Sequence, residues 1–171
     1  LQKKWFVFLL YIFLCFGYMT GSDWRGYEIG YEYSQDSLNN ATYELGFYYL
    51  IDLLHHVITD FWIALALLKC VYLHSVIKIL RTISHKWVAS LSLLMPLTLL
   101  FMLVDNPLRY MVANIFVNYS IIFALRGKQF WALFFMLVAP LFQITTIMVF
   151  PLFCFILFKN RIVGINRYVL I

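Results

Sequence analysis

Residues 105–128 read DNPLRYMVANIFVNYSIIFALRGK. An acid opens the stretch, Asn106-Pro107 gives a helix-start signal, and Leu108 to Leu125 is long and apolar enough to cross a bilayer. Arg126-Gly127-Lys128 then closes it. Basic residues are retained on the cytoplasmic side, so this one segment carries an orientation as well as a class. Outward from it, the same polarity repeats. Asp23, Glu28, Glu32, Asp36, Glu44, Asp52, Asp60 and Asp105 fall before, between or at the outer ends of apolar segments. Lys3, Lys4, Lys78, Arg81, Lys86, Arg126, Lys128, Lys159, Arg161 and Arg167 mark the opposite ends. The expected fold is all-α, a polytopic membrane helical bundle with an acidic outer face.

Composition agrees. The chain is 64% hydrophobic and 12% charged, a balance that no soluble domain of this length could hide from water. The net charge of +5 comes from basic residues placed singly or in pairs at segment ends, which excludes a phosphate-tracking stripe and with it nucleic acid as a partner. Cys15, Cys70 and Cys154 lie apart inside apolar stretches, so neither a disulfide framework nor a zinc site is expected.

Segment ends give a topology. Trp5 to Met19 runs out from Lys3 and Lys4. Residues 20–60 form an outer loop and an interfacial helix, because Asp52, His55, His56 and Asp60 make a crossing there costly. Phe61 to about Ile77 runs in, Trp87 to Val104 out, and Leu108 to Leu125 in. Phe130 to Phe158 is too long for one ordinary span at about 1.5 Å per residue. Two short helices meeting near Gln143 keep Lys159, Arg161 and Arg167 inside. The expectation is about six crossings in a single transmembrane domain, residues 1–171. With Leu1 at its start, the chain is expected to be a piece of a longer one.

Arg109 is the sharpest functional candidate. In the first turn of a membrane helix the backbone N–H groups want acceptors and the helix dipole disfavours a cation, so a bound anion would satisfy both. A guanidinium grips phosphate in bidentate fashion. The plain alternative is an ion pair with Asp105 or an arginine reaching the interface. Asp23, just past the first span, is placed to act as a general base; equally, it caps a short helix. Trp24 and Tyr27 offer flat faces to sugar rings or form an interfacial belt. Glu44 complements the first turn of the interfacial helix. Beside Asp23 it would make a carboxylate pair in which one group is driven to hold its proton. Asp52, His55, His56 and Asp60 read as the wet face of that helix in preference to a metal site, so no metal is assigned. Gln143, with Thr145 and Thr146, either satisfies backbone freed at the bend or contacts substrate. Lys69 and His74, inside the second crossing, receive no role.

Taken in order, these stretches resemble the EpsG-like family of bacterial polysaccharide polymerases, relatives of the Wzy O-antigen polymerases. Gly21-Ser22-Asp23 with Tyr27 matches a Gly-Thr-Asp start, and Glu44-Leu45-Gly46-Phe47-Tyr48 a Glu-Pro-Gly-aromatic run. Leu108-Arg109-Tyr110 with Ala113 matches an Ile-Arg-Gln helix start, closed by Arg126-Gly127-Lys128. Phe142-Gln143-Ile144-Thr145-Thr146 matches a Phe-His-x-Ser-Ala segment. Leu45, Tyr110 and Gln143 depart from the pattern, and an amide at 143 cannot take a histidine's part in proton transfer. Family members are about twice this length.

The resemblance implies a multi-span, lipid-dependent (GT-C-like) glycosyltransferase fold at the outer face of the bacterial inner membrane. The substrate implied is an undecaprenyl-diphosphate-linked oligosaccharide, with membrane lipid and other polysaccharide assembly proteins as partners and no cofactor. Asp23 becomes the first choice of base and Glu44 the second. Arg109 becomes the diphosphate grip, and Arg25, Trp24, Tyr27 and Gln143 substrate contacts. A non-catalytic subunit or a transporter of lipid-linked oligosaccharide is the competing expectation.

Overall fold

The computed structural model describes Phe8, Ile12, Cys15 and residues 24–32, 44–82, 108–151, 153 and 154. The expected crossing at 87–104, most of the first, and the basic tail from Lys159 lie outside these residues. Five α-helices are described: α1 (Trp24–Glu32), α2 (Leu45–Val57), α3 (Phe61–Thr82), α4 (Leu108–Leu125) and α5 (Gln129–Val138). Two 3-10 turns follow, Ala139–Leu141 and Ile144–Val149. Phe8, Ile12 and Cys15 are also helical, and no strand occurs among the described residues.

Among the described residues, α3 and α4 are long and apolar enough to cross a membrane. α4 has the bounds its sequence announces. Its end is a Schellman turn: Gly127 takes φ 73°, Gly127 N–H donates to the Ala124 carbonyl at 3.0 Å, and Lys128 N–H to that of Phe123 at 2.9 Å. α3 outruns the expected end at Ile77 by continuing to Thr82. Lys78 need not terminate it, since its ammonium lies 4.7 Å from the centre of the Tyr119 ring on α4. The start of α3 is capped by Asp60, whose Oδ1 accepts the Ile63 N–H at 3.0 Å. Asp60 thus has a structural duty that its place on a wet face did not suggest.

α2 has 13 residues, about 20 Å, and falls short of a bilayer core of about 30 Å. Leu45, Tyr49, Leu53 and Val57 recur every fourth residue and are all exposed, an apolar stripe turned away from the core. Ile63, Leu67 and Val71 make a similar stripe on α3. In water such stripes would be a liability; against lipid tails they cost nothing.

The core joins α1 to α4. Tyr31, Phe47, Leu65, Leu73, Leu108, Met111 and Val112 are buried together with Cys15 of the first segment. Across α3 and α4, Asn118 Nδ2 donates to Ser75 Oγ at 3.0 Å, and that hydroxyl donates to the Tyr72 carbonyl at 2.7 Å. Ala124 and Ala132 bring α4 and α5 close enough for Ser120 Oγ to donate to the Ala132 carbonyl at 2.8 Å.

α1 is a short helix of the kind that the capping alternative at Asp23 allowed. Its Tyr31 is fully buried, edge-on to Phe61 and His55, and its hydroxyl donates to the Ile58 carbonyl where α2 ends. Burial, and then the nearby Asp60 charge, push the phenol's pKa up and keep it a donor. Tyr31→Phe should therefore destabilise the chain by about 1 kcal/mol, read by thermal unfolding in detergent. An unchanged midpoint would mean that water takes over the Ile58 carbonyl.

Candidate functional site

The segment from 139 to 149 does not continue α5. Pro140 follows the end of that helix, the chain passes through a 3-10 turn, and Gln143 is extended (φ −157°) before a second 3-10 stretch begins. The expected bend is present, and it turns backbone N–H groups away from helical partners. One of them, at Ile144, donates to Glu44 Oε1 at 3.3 Å, 100 residues away in the chain.

Gly46 permits this meeting. A Cβ there would stand 2.8 Å from the Leu141 Cβ and 2.8 Å from its carbonyl oxygen. The first turn of α2 lies directly against the 3-10 turn, with only a hydrogen where another residue would carry a methyl. Glu44 precedes α2 with extended backbone (φ −64°, ψ 143°) and makes no side-chain cap. Its carboxylate is committed elsewhere. Oε2 accepts from Arg109 Nη1 at 3.1 Å, and both side chains are shielded, with 19% of Glu44 and 30% of Arg109 exposed.

Tyr27 completes the cluster. It reaches from α1 to hydrogen-bond Arg109 and rests edge-on against Phe47, ring centres 5.8 Å apart. Below, Phe142 stacks on Phe116 of α4 at 4.7 Å and 13°. Four segments widely separated in the chain (α1, the start of α2, the start of α4 and the bend) thus meet at the Glu44–Arg109 pair. Gln143 is 6% exposed. Its Nε2 donates to Thr145 Oγ1 at 3.3 Å, while its backbone carbonyl accepts from Thr146 Oγ1 at 2.8 Å. Its Oε1 is buried without a hydrogen-bond partner among the described residues. This orphaned acceptor belongs to the residue before Ile144, whose N–H meets Glu44.

The site residues expected from sequence therefore divide. Glu44, Arg109 and Tyr27 come together, with the Gln143 bend against Glu44. Trp24 and Arg25 stand apart from them: Trp24 packs on Trp62 of α3 at 5.4 Å, and Arg25 lies 5.3 Å from the Trp24 ring centre. Asp23 and Asp105 lie outside the described residues. Among the described residues Arg109 pairs with Glu44, 65 residues earlier, and the ion pair expected with Asp105 lies outside them. His56 Nδ1 lies 2.8 Å from the Asp52 carbonyl oxygen and 3.7 Å from Asp52 Oδ1. No group of three metal-ligating side chains occurs among the described residues. Sequence reading missed the Ile144 N–H and the closeness enforced at Gly46. The glycine between Glu44 and an aromatic pair was the available signal.

A model of the EpsG family matches residues 4–171, which takes in every residue of this cluster. No curated protein and no solved structure matches the chain.

Proposed function

This chain belongs to the EpsG family, and from that premise we propose that it polymerises surface polysaccharide by glycosyl transfer from an undecaprenyl-diphosphate-linked donor. Membership and the two apolar helices make it a membrane protein of polysaccharide biosynthesis. The finer reading rests above all on Arg109, a guanidinium in the first turn of a candidate span, oriented by Glu44 and Tyr27.

In the proposed reaction a hydroxyl of the acceptor glycan attacks the anomeric carbon of the donor. The bond from that carbon to the diphosphate oxygen breaks, and the hydroxyl proton passes to a base. Negative charge grows on the departing lipid diphosphate, where Arg109 and the first-turn N–H groups of α4 meet it. Asp23, immediately before α1, is the proposed base. Glu44 has both oxygens engaged by donors, which suits a carboxylate that holds Arg109 in place more than one that exchanges protons. The buried Gln143 Oε1 would accept a sugar hydroxyl. Six crossings, a GT-C-like fold, α2 in the outer interface and acidic segments facing out of the inner membrane complete the proposal.

The test is elongation of a purified lipid-diphosphate repeat unit by the chain in vesicles, read as longer glycan. Elongation supports a polymerase. A folded chain that binds the unit without elongating it would overturn this reading in favour of a non-catalytic subunit. That alternative draws on Gln143, an amide that cannot shuttle a proton where the family pattern carries histidine.

A further inference from the structure

We propose a second saccharide-binding site, separate from the Arg109 cluster and formed by Trp24, Arg25, Glu28 and Trp62. The inference rests on the polymerase reading for its ligand class, since a polymerase must hold sugar units remote from the bond being made. α1 turns Tyr27 toward Arg109 and Phe47, while Trp24 and Glu28, one turn apart, face α3. There the Trp24 and Trp62 rings lie 5.4 Å apart, inclined at 49°. The Trp62 indole N–H donates to Glu28 Oε1 at 3.0 Å. Arg25 is exposed, with its guanidinium 5.3 Å from the Trp24 centre.

Two aromatic rings bordered by a carboxylate and a guanidinium match one ligand chemistry well. A pyranose presents apolar C–H faces to rings and hydroxyl edges that both donate and accept. Glu28 keeps acceptor capacity beyond its bond to Trp62, and Arg25 supplies donors. An interfacial tryptophan belt needs no such flanking: its indole N–H groups are served by water and lipid headgroups. Here the Trp62 N–H is fixed by the protein's own carboxylate, which holds the ring in one orientation as a recognition surface requires. The Trp pair and the Arg109 cluster both adjoin α1, so a glycan crossing this short helix would touch both.

The experiment uses fluorophore-labelled oligosaccharides released by partial hydrolysis from the surface polysaccharide of cells carrying this chain. Binding to the purified full chain in detergent is read by anisotropy. These fragments carry no diphosphate and no reacting bond, so their binding is scored independently of turnover, and a chain that fails to elongate glycan can still pass or fail. Trp24→Ala and Trp62→Ala are expected to weaken binding by about tenfold each, as loss of a tryptophan anchor does. Trp62→Phe, which keeps a ring, should restore part of the loss, and Trp131→Ala should change nothing. Where elongation is active, Trp62→Ala should also shorten the polymer. Equal fragment affinity in wild type and both alanine variants would overturn the site. So would quenching of Trp62 by brominated lipid in a chain that binds no fragment, which would make the pair a membrane anchor.

Discussion

Arg109→Ala is expected to slow glycan elongation by about two to three orders of magnitude, the usual loss when one preorganised donor to a developing oxyanion is removed. The chain should still insert and fold, because the side chain is 30% exposed and its partner Glu44 keeps the Ile144 N–H. Arg109→Lys should recover little: an ammonium offers a point charge and cannot serve Glu44, Tyr27 and a phosphate from one planar fork. Glu44 decides how the arginine works. If Glu44 positions Arg109, then Glu44→Gln and Glu44→Ala lower the rate only in the presence of the guanidinium, and the double variant with Arg109→Ala is no slower than Arg109→Ala alone. If Glu44 instead takes the acceptor's proton, the two losses multiply. Steady-state rates for wild type, the single variants and the double variant, each shown to be folded, separate the cases. Full activity in Arg109→Ala would remove the diphosphate grip altogether.

The helices are legible where local chemistry suffices, and the site is hidden where it does not. α4 runs from Leu108 to Leu125 as read, because a proline starts it and a glycine in the left-handed region ends it, both local instructions. α2 falls inside residues 20–60, where a loop and one helix were expected from residues of that segment alone. α3 overran its expected end because the feature that tolerates Lys78 is the Tyr119 ring of another helix, 41 residues on. α1 was legible only as an alternative, for the same reason. A nine-residue stretch with two glycines and two acids has weak helical preference, and what holds it is Tyr31 reaching the end of α2 and Glu28 reaching Trp62. The site shows the limit most plainly. Arg109 and Glu44 were each chosen from their places at helix starts, yet nothing within either segment names the other as partner. Their pairing is a property of how α2 and α4 pack, and it became visible only with the fold.

Gly46→Ala should be the most damaging conservative change outside the charged cluster, and the reason is geometric. Two of the three atoms nearest the added methyl belong to the Leu141 backbone, so no rotamer change relieves them; α2 and the 3-10 turn must move apart. Helix propensity argues the other way, by about 1 kcal/mol in favour of alanine, so the observed sign tells which effect governs. The contact should win, since real Cβ atoms essentially never approach backbone within 3.0 Å. The first casualty would be the bond from the Ile144 N–H to Glu44, already long at 3.3 Å. Without it Glu44 swings with α2 and carries Arg109 out of register, and a displacement of about 1 Å in a positioning group costs about a hundredfold in rate. Gly26→Ala supplies the control. It lies in α1 with nothing within 4 Å of the new methyl, so the same substitution should stabilise the chain by about 0.5–1 kcal/mol and leave elongation intact. Opposite signs at the two glycines, in unfolding midpoint and in rate, would tie activity to the closeness of α2 and the bend. Full activity in Gly46→Ala would mean that Arg109 keeps its place without that contact, and that the glycine serves packing alone.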